Sequence, residues 1–403
     1  MRIAIVGSTQ AIVGGAEVYQ RWVLADLAAR GHTLAFAFDY PAKEADRAAD
    51  LGVDGLVRIC IGELGREAFL MELERFAPDL VYLHCTSDAE VDAALARRFR
   101  CVIFAHAYYG TCATGTRTHQ FPGVEICERR FGGACLPLNY ARSCGIRRPA
   151  DLLRSYNRQQ RRIDALYSAR AVVVASDYVR DLFERQGVSA QRLHVIPYPV
   201  VGAEPDPSPP QSRPFTNRVV FLGRLTHLKG LAHAVAALAR ASARLGRQLS
   251  LDVGGEGPEL DRCRDLARHR SVEARFWGWV DDARREQLMR EADAIIVPSL
   301  WPEPFGMVGL EAGCFGVPAV AYSVGGIPEW LDSGVSGELV ASGALDPDAL
   351  GDALARALDS PSRHQTLREG AWRATARFSR EAHAEKLRAL FDAVVPSPRG
   401  KVA

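Results

Sequence analysis

The chain has 403 residues, a formal net charge of +2, 48% hydrophobic and 24% charged residues. That length suits two or three domains with large cores, and the composition excludes an intrinsically disordered chain. The near-neutral balance argues against a dedicated nucleic-acid binder, and no apolar run approaches the roughly 18 residues needed to cross a membrane.

The N-terminus, MRIAIVGSTQ, has one Arg and then a short apolar run. It is too short for a signal peptide and reads as a first strand, so the expected compartment is the cytoplasm. A loop containing Gly14 and Gly15 leads into a helix closed by Gly31, followed by a strand over 33–40. A helix is expected over 66–77, a strand over 79–85, a helix over 89–99 and a strand over 100–107. This alternation is the mark of a parallel sheet. Residues 110–150 are rich in Gly, Cys, Arg and Pro and lack a period. A polar helix from Pro149 to about Ser168 follows, then a strand, a helix over 177–187 and a strand over 192–200.

Residues 203–214 hold five Pro and almost nothing apolar, which predicts a domain linker. The strand–helix rhythm then restarts: strands near 218, 248, 274, 293, 318 and 337 alternate with helices, and a last helix spans 379–395. The expected fold class is α/β, two Rossmann-like doubly wound domains facing across a cleft: an acceptor domain over 1–202, a linker, a nucleotide domain over 215–377, a helix over 378–395 and a mobile tail over 396–403.

The densest cluster of special residues lies in WPEPFGMVGLEAGCFGVPAVAYSVGGIPEWL, residues 301–331. A strand ends in a Pro-rich turn holding Glu303, and a helix is expected to start near Phe305. Its first amides, at Phe305, Gly306 and Met307, would have no intrahelical partner and would suit an anion or sugar oxygens. Glu311 would lie about 9 Å along that helix, at about 1.5 Å per residue, so the two carboxylates can grip two ends of one polar ligand. Gly325-Gly326 offers another pair of amides. In FLGRLTHLKG, Arg224 and Lys229 follow a strand end and suit a diphosphate. Lys229 is one of only four lysines in the chain. Asp39 stands where a ribose-binding acid of a dinucleotide fold would stand, but neither the Gly7–Glu17 loop nor Gly254–Gly257 completes G-x-G-x-x-G.

Together, Glu303 and Glu311 in an E-x7-E spacing, GGAE with the later Arg30-Gly31-His32, GRLTHLKG, GGEGPE and the final FSREAHAEKL resemble the retaining glycosyltransferases of family 4, which have the GT-B fold. The resemblance covers nearly the whole chain. It implies a nucleotide-diphosphate sugar as donor, a UDP- or GDP-sugar foremost, and no divalent metal at the donor site. It gives Glu303 to the sugar hydroxyls, the amides of Phe305, Gly306 and Met307 to sugar and diphosphate, Glu311 to the ribose, and Arg224 and Lys229 to the diphosphate and departing nucleotide. Gly14 and Gly15 would approach phosphate or acceptor, and His106 would be the acceptor-side histidine. The final helix would cross back to the first domain. The family's Pro-Asn-Gly-Val-Asp is replaced here by Tyr198-Pro199-Val200-Val201. The expected activity moves a sugar to a glycan, lipid-linked or small-molecule acceptor with retention. The alternatives are a nucleotide-sugar epimerase or phosphorylase of the same fold, or a non-catalytic nucleotide-sugar binder.

Cys112, Cys127, Cys135 and Cys144 fall in the irregular loop, with H-x5-C from His106 to Cys112 resembling Cys-rich members of the family. Four thiolates suit a structural Zn²⁺, while free thiols and disulfides are the alternatives. Cys60, Cys101, Cys263 and Cys314 read as buried small residues. Between Arg97 and Arg162 stand thirteen Arg against three acids, either a solvated face or a surface for an acidic acceptor or the anionic inner face of a membrane. Trp22, Tyr108 and Tyr109 are candidates to stack on a sugar, and residues 276–280 to lie near the base.

Overall fold

The computed structural model describes residues 1–9, 11, 14–40, 52–341, 343 and 345–395. The expected mobile tail, Lys43 and Lys401 lie outside the described residues. The chain divides into two compact units: Met1–Gly123, Cys127–Tyr198 and Arg380–Ala403 form unit 1, and Val124–Ile126 and Pro199–Ser379 form unit 2.

Unit 1 is built on seven strands: β1 (Arg2–Thr9), β2 (Thr33–Tyr40), β3 (Val57–Cys60), β4 (Leu80–Leu83), β5 (Cys101–Ala105), β6 (Ala171–Val174) and β7 (Leu193–Val195). Their order is β3-β2-β1-β4-β5-β6-β7. Helices on both faces bury these strands on both sides, so they read as continuous apolar runs: Ile3, Ala4, Ile5 and Val6 are all fully buried. The helices are α1 (Gly15–Ala29), α2 (Arg66–Phe76), α3 (Ala89–Arg98), α4 (Cys135–Ala141), α5 (Pro149–Ser168) and α6 (Asp177–Gln186). Local caps fix their starts: Asp88 accepts from the Glu90 amide and Ser176 from the Val179 amide. Pro149 opens α5, where its missing N–H costs nothing.

Unit 2 has six strands: β8 (Arg218–Leu222), β9 (Ser250–Gly254), β10 (Glu273–Gly278), β11 (Ala294–Val297), β12 (Ala319–Tyr322) and β13 (Gly337–Val340). Their order is β10-β9-β8-β11-β12-β13, paired in parallel throughout. Around them lie α7 (Leu231–Leu245), α8 (Leu260–His269), α9 (Asp282–Glu291), α10 (Met307–Gly313), α11 (Pro347–Ala357) and α12 (Pro361–Thr375). In both units the strand order reverses beside the first strand, between β1 and β4 and between β8 and β11. Outside the carboxyl ends of those strands an open α/β sheet leaves its crevice.

The final helix, α13 (Arg380–Val394), belongs to unit 1. His383 Nε2 lies 2.9 Å from the Tyr19 hydroxyl, and Phe391 packs edge-on to Tyr82 at 5.1 Å. The expected linker is not a free tether. Asp206 donates its amide to Cys314 O, Trp372 donates to Asp206 O, and Gln365 and Arg368 donate to Pro210 O and Gln211 O, so residues 206–211 are held on unit 2. Several short elements were not legible, among them β3, a four-residue edge strand, the one-turn helix Ile61–Leu64, the paired strands Thr118–His119 and Glu125–Ile126, and α4, a seven-residue helix inside the irregular loop.

Candidate functional site

The crevice of unit 2 brings Lys229 and Glu303 together. Lys229 ends a short turn after β8, and Glu303 lies in the turn after β11. Two backbone contacts pin the loops: the Leu300 amide donates to Leu228 O at 2.8 Å, and Gly230 presses on Pro298. Gly230 has φ +74°, and a Cβ there would lie 1.9 Å from Pro298 O, so no other residue fits without moving the loop. Glu303 is 5% exposed. Its Oε1 accepts from Lys229 Nζ at 2.7 Å, Ser299 Oγ at 2.5 Å and Trp301 Nε1 at 2.8 Å. Burial pushes this carboxyl up, but the Lys229 ammonium and the three hydrogen bonds outweigh it and hold the group below its ordinary value. The carboxylate therefore stays ionised and oriented.

Glu311 lies on α10, also buried, and its Oε2 pairs with Arg285 Nη1 at 3.1 Å. Burial raises its carboxyl, with Arg285 opposing the rise. Arg285 also donates to Gly202 O and lies 3.3 Å from Asp282. Ser299, Trp301 and Arg285 were missed by sequence reasoning. Trp301 carried a signal, because an indole N–H two residues from a buried acid needs an acceptor; Arg285 carried none, being one arginine of several on a polar helix.

The helix at the E-x7-E motif differs from expectation. It starts at Met307, with Gly306 as its N-cap at φ +84°, so Phe305 and Gly306 precede it and Glu311 is its fifth residue. Phe305 is 1% exposed and its carbonyl accepts from Trp330 Nε1, which ties the turn to the core. The Gly326 amide is engaged by Glu303 O at 2.8 Å, so it is not open to a ligand. Arg224 is exposed on the same loop as Lys229. Trp277 and Trp279, 40% and 46% exposed, lie at the end of β10, with Trp277 Nε1 donating to Asp252.

In unit 1, Gly14 caps α1 and Gly15 begins it. His106 follows β5, but both of its ring nitrogens are engaged: Nε2 lies 2.7 Å from His84 Nδ1 and Nδ1 lies 2.5 Å from the Tyr198 hydroxyl. Burial pushes His106 down to about 3, and burial with His106 beside it pushes His84 well down, so both imidazoles are neutral. Tyr108 and Tyr109 are 2% and 5% exposed, and Tyr109 donates to Asp92. They are core residues, not stacking platforms. Trp22 is half-buried against His383. Asp39 is 3% exposed and accepts from the Ser87 amide at 2.6 Å, a structural tie.

All nine cysteines are free thiols, so the disulfide alternative does not hold. Cys60, Cys101, Cys263 and Cys314 are buried as expected. Cys112, Cys127, Cys135 and Cys144 are half-buried, but among the described residues no three His, Cys, Asp or Glu side chains are arranged to hold a metal ion. The four thiols do share one small region: Cys112, Cys127 and Cys135 all act on the charge of Cys144. The loop is ordered by an apolar cluster of Ala113, Phe131, Leu152 and Ile163, and by Arg117, whose buried guanidinium donates to Thr111 O and Arg129 O. Part of the arginine-rich stretch is thus structural, and Arg161 is paired with Glu90. No helix among the described residues is long and apolar enough to cross a membrane.

Two family models match: a glycosyl transferase 4-like domain over residues 14–199 and glycosyl transferases group 1 over residues 206–373. The chain is 34% identical to a glycogen synthase of Mycobacterium tuberculosis over 183 residues, 45% of this chain and 40% of that protein. It is 32% identical over 250 residues to a D-inositol 3-phosphate glycosyltransferase of Corynebacterium jeikeium, 56% of this chain and 58% of that one. The chain thus spans less than two thirds of these relatives' length. Among solved structures, Anabaena Alr3699/HepE in complex with UDP and glucose superposes with a TM-score of 0.68 at 18% identity, covering 98% of this chain and 100% of that one. A sucrose-phosphate synthase of Thermosynechococcus elongatus superposes with a TM-score of 0.73 at 20% identity, covering 98% of each chain. With parallel sheets in both units and a match to each half, the chain belongs to the family-4-like glycosyltransferases of the GT-B fold.

Proposed function

We propose that the protein transfers a sugar, with retention at the anomeric carbon, from a nucleotide-diphosphate sugar to a glycan, lipid-linked or small-molecule acceptor. The observation that carries this is the Lys229–Glu303 pair at the carboxyl ends of β8 and β11, where the sheet order reverses. Glu303 Oε1 is saturated by Lys229, Ser299 and Trp301, so Oε2 is the oxygen left to accept donor-sugar hydroxyls. An ammonium has three donors and only one is spent on Glu303, so Lys229 can also meet the diphosphate, with Arg224 beside it on the loop. These cations would stabilise the departing nucleotide in the role a divalent metal plays elsewhere. Glu311 would take the ribose and residues 276–280 the base.

A UDP- or GDP-sugar is the donor class the site suits; Anabaena Alr3699/HepE, of the same fold, is a UDP complex. The acceptor hydroxyl attacks the anomeric carbon on the face the leaving phosphate departs, the bond from that carbon to phosphate oxygen breaks, and a phosphate oxygen takes the acceptor proton. His106, neutral and with both ring nitrogens engaged by His84 and Tyr198, is not a free base, and it would orient an acceptor hydroxyl only by exchanging one of those two partners for it. An anionic acceptor, or an anionic membrane carrying a lipid-linked one, fits the basic 97–162 stretch.

The test incubates the protein with UDP- and GDP-sugars and a panel of acceptors, follows nucleoside diphosphate release with and without EDTA, and reads the product anomer by NMR. Transfer with retention, lost in Glu303→Gln, is expected. Donor turnover without acceptor would favour an epimerase, and binding without turnover a sensor.

A further inference from the structure

Arg285 occupies the carboxylate that the donor ribose needs. In the structure Glu311 has little free surface: its side chain is 8% exposed, and Oε2 is held by Arg285 Nη1 at 3.1 Å. The other oxygen faces Gly202 so closely that a Cβ on that glycine would lie 2.6 Å from Oε1. The same Cβ would lie 2.5 Å from Arg285 Nη2, so Gly202 is the one residue size that lets acid, guanidinium and backbone share this corner. Arg285 is fixed from its other side by donation to Gly202 O. A ribose diol grips a carboxylate through two O–H donors, one on each oxygen. It cannot do so while the guanidinium holds Oε2.

We propose that Arg285 is an affinity-determining residue of the donor site, a built-in competitor that the nucleotide ribose displaces from Glu311. This rests on Glu311 meeting the ribose, as proposed above. A ligand whose binding-competent state is only partly populated binds more weakly by that fraction. The displaced guanidinium has a place to go: Asp282 Oδ1 is already 3.3 Å away, and its side chain is 96% exposed. The exchange thus moves the guanidinium's ion pair from a buried corner into water and leaves the carboxylate to the hydrogen bonds of the ribose. The arrangement also discriminates among ligands. A nucleotide with a free cis-diol can pay back the lost pair with two hydrogen bonds to one carboxylate, whereas a deoxyribose, with one hydroxyl fewer, cannot.

The test is isothermal titration of the intact protein with UDP, GDP and the 2′-deoxy form of whichever binds, on wild type, Arg285→Met, Arg285→Gln and Glu311→Gln. Both Arg285 variants should bind the nucleoside diphosphate about ten-fold more tightly at pH 8, the loss of one charge-assisted hydrogen bond from the competing state. Their binding should also weaken at a higher pH than wild type on acidification, because Glu311, faced by Arg285 and Asp282, loses the guanidinium that opposes its protonation. Unchanged or weaker binding in both variants, with unfolding temperatures like wild type, overturns the inference. If instead Glu311→Gln binds like wild type, the ribose role of Glu311 fails, and that failure is separate because it does not depend on Arg285.

Discussion

Lys229 Nζ lies 2.7 Å from Glu303 Oε1, joining two loops that are 74 residues apart in sequence. The pair is unequal: the lysine side chain is 25% exposed and the glutamate 6%. Removing the cation should therefore cost more than the pair itself gives, because a buried carboxylate is left without its counter-charge. Lys229→Met is expected to lose about 2 kcal/mol of stability in urea unfolding at pH 7. Lys229→Met/Glu303→Gln should recover most of that loss while remaining inactive. A single variant as stable as wild type would show that the ammonium does not hold Glu303.

Trp301 reaches the same oxygen by its indole N–H at 2.8 Å, and the Lys229 ammonium lies 5.5 Å from its ring centroid. Trp301→Phe keeps most of the ring and deletes the donor. The expected result is a small stability loss, about 1 kcal/mol, with a larger fall in kcat than rise in donor KM, since Glu303 stays ionised but loses one of three bonds fixing its plane. A Trp301→Phe variant with wild-type kcat, beside a Trp301→Ala variant that loses activity, would assign Trp301 to packing only.

The strands and helices of both units were legible because parallel sheets buried on both faces write themselves as apolar runs between helical periods, as in Ile3–Val6 and Ala294–Val297. Edge strand β3 was not, since Val57 and Arg58 face solvent and only Ile59 and Cys60 are buried. At the site, Glu303, Glu311 and Lys229 stood out by spacing and by rarity. Their partners did not: Arg285 joins Glu311 from α9, and His84 joins His106 from the neighbouring strand end, contacts that exist only once the sheet order is set. The start of α10 was misplaced because Gly306 in a left-handed conformation ends the turn, a detail of backbone geometry that composition does not record.

Gly230 allows the approach that places Lys229. Alanine there meets two penalties at once, φ +74° and a Cβ 1.9 Å from Pro298 O. The loop must move away from β11, which carries Lys229 off Glu303. Gly230→Ala is expected to lose more than about 2 kcal/mol in urea unfolding and to weaken donor binding as Lys229→Met does. Combining the two should add little further loss in binding, because both remove the same contact. Full additivity would mean that the glycine shapes something other than the lysine.

His383 ties the final helix to unit 1 through the Tyr19 hydroxyl at 2.9 Å and the Pro197 carbonyl at 2.7 Å. Burial pushes its imidazole down to about 4. The sign follows from linkage: between about 4 and 6.5 the unfolded chain binds this proton and the folded chain does not, so the histidine costs stability as pH falls through that window. Other buried groups work in the opposite sense over part of the same range. Asp92, raised to about 6 by burial, and Glu311, also raised by burial, take up protons in the folded state first. The total slope is therefore a poor probe, and the difference between two proteins is a clean one. His383→Gln cannot titrate, so the stability gap between it and wild type should shrink in its favour by about 1.2 kcal/mol on going from pH 6 to pH 5. Urea unfolding at both pH values measures it. A gap that does not change with pH would mean that His383 takes its proton in the folded chain, and that its bonds to Tyr19 and Pro197 survive the charge.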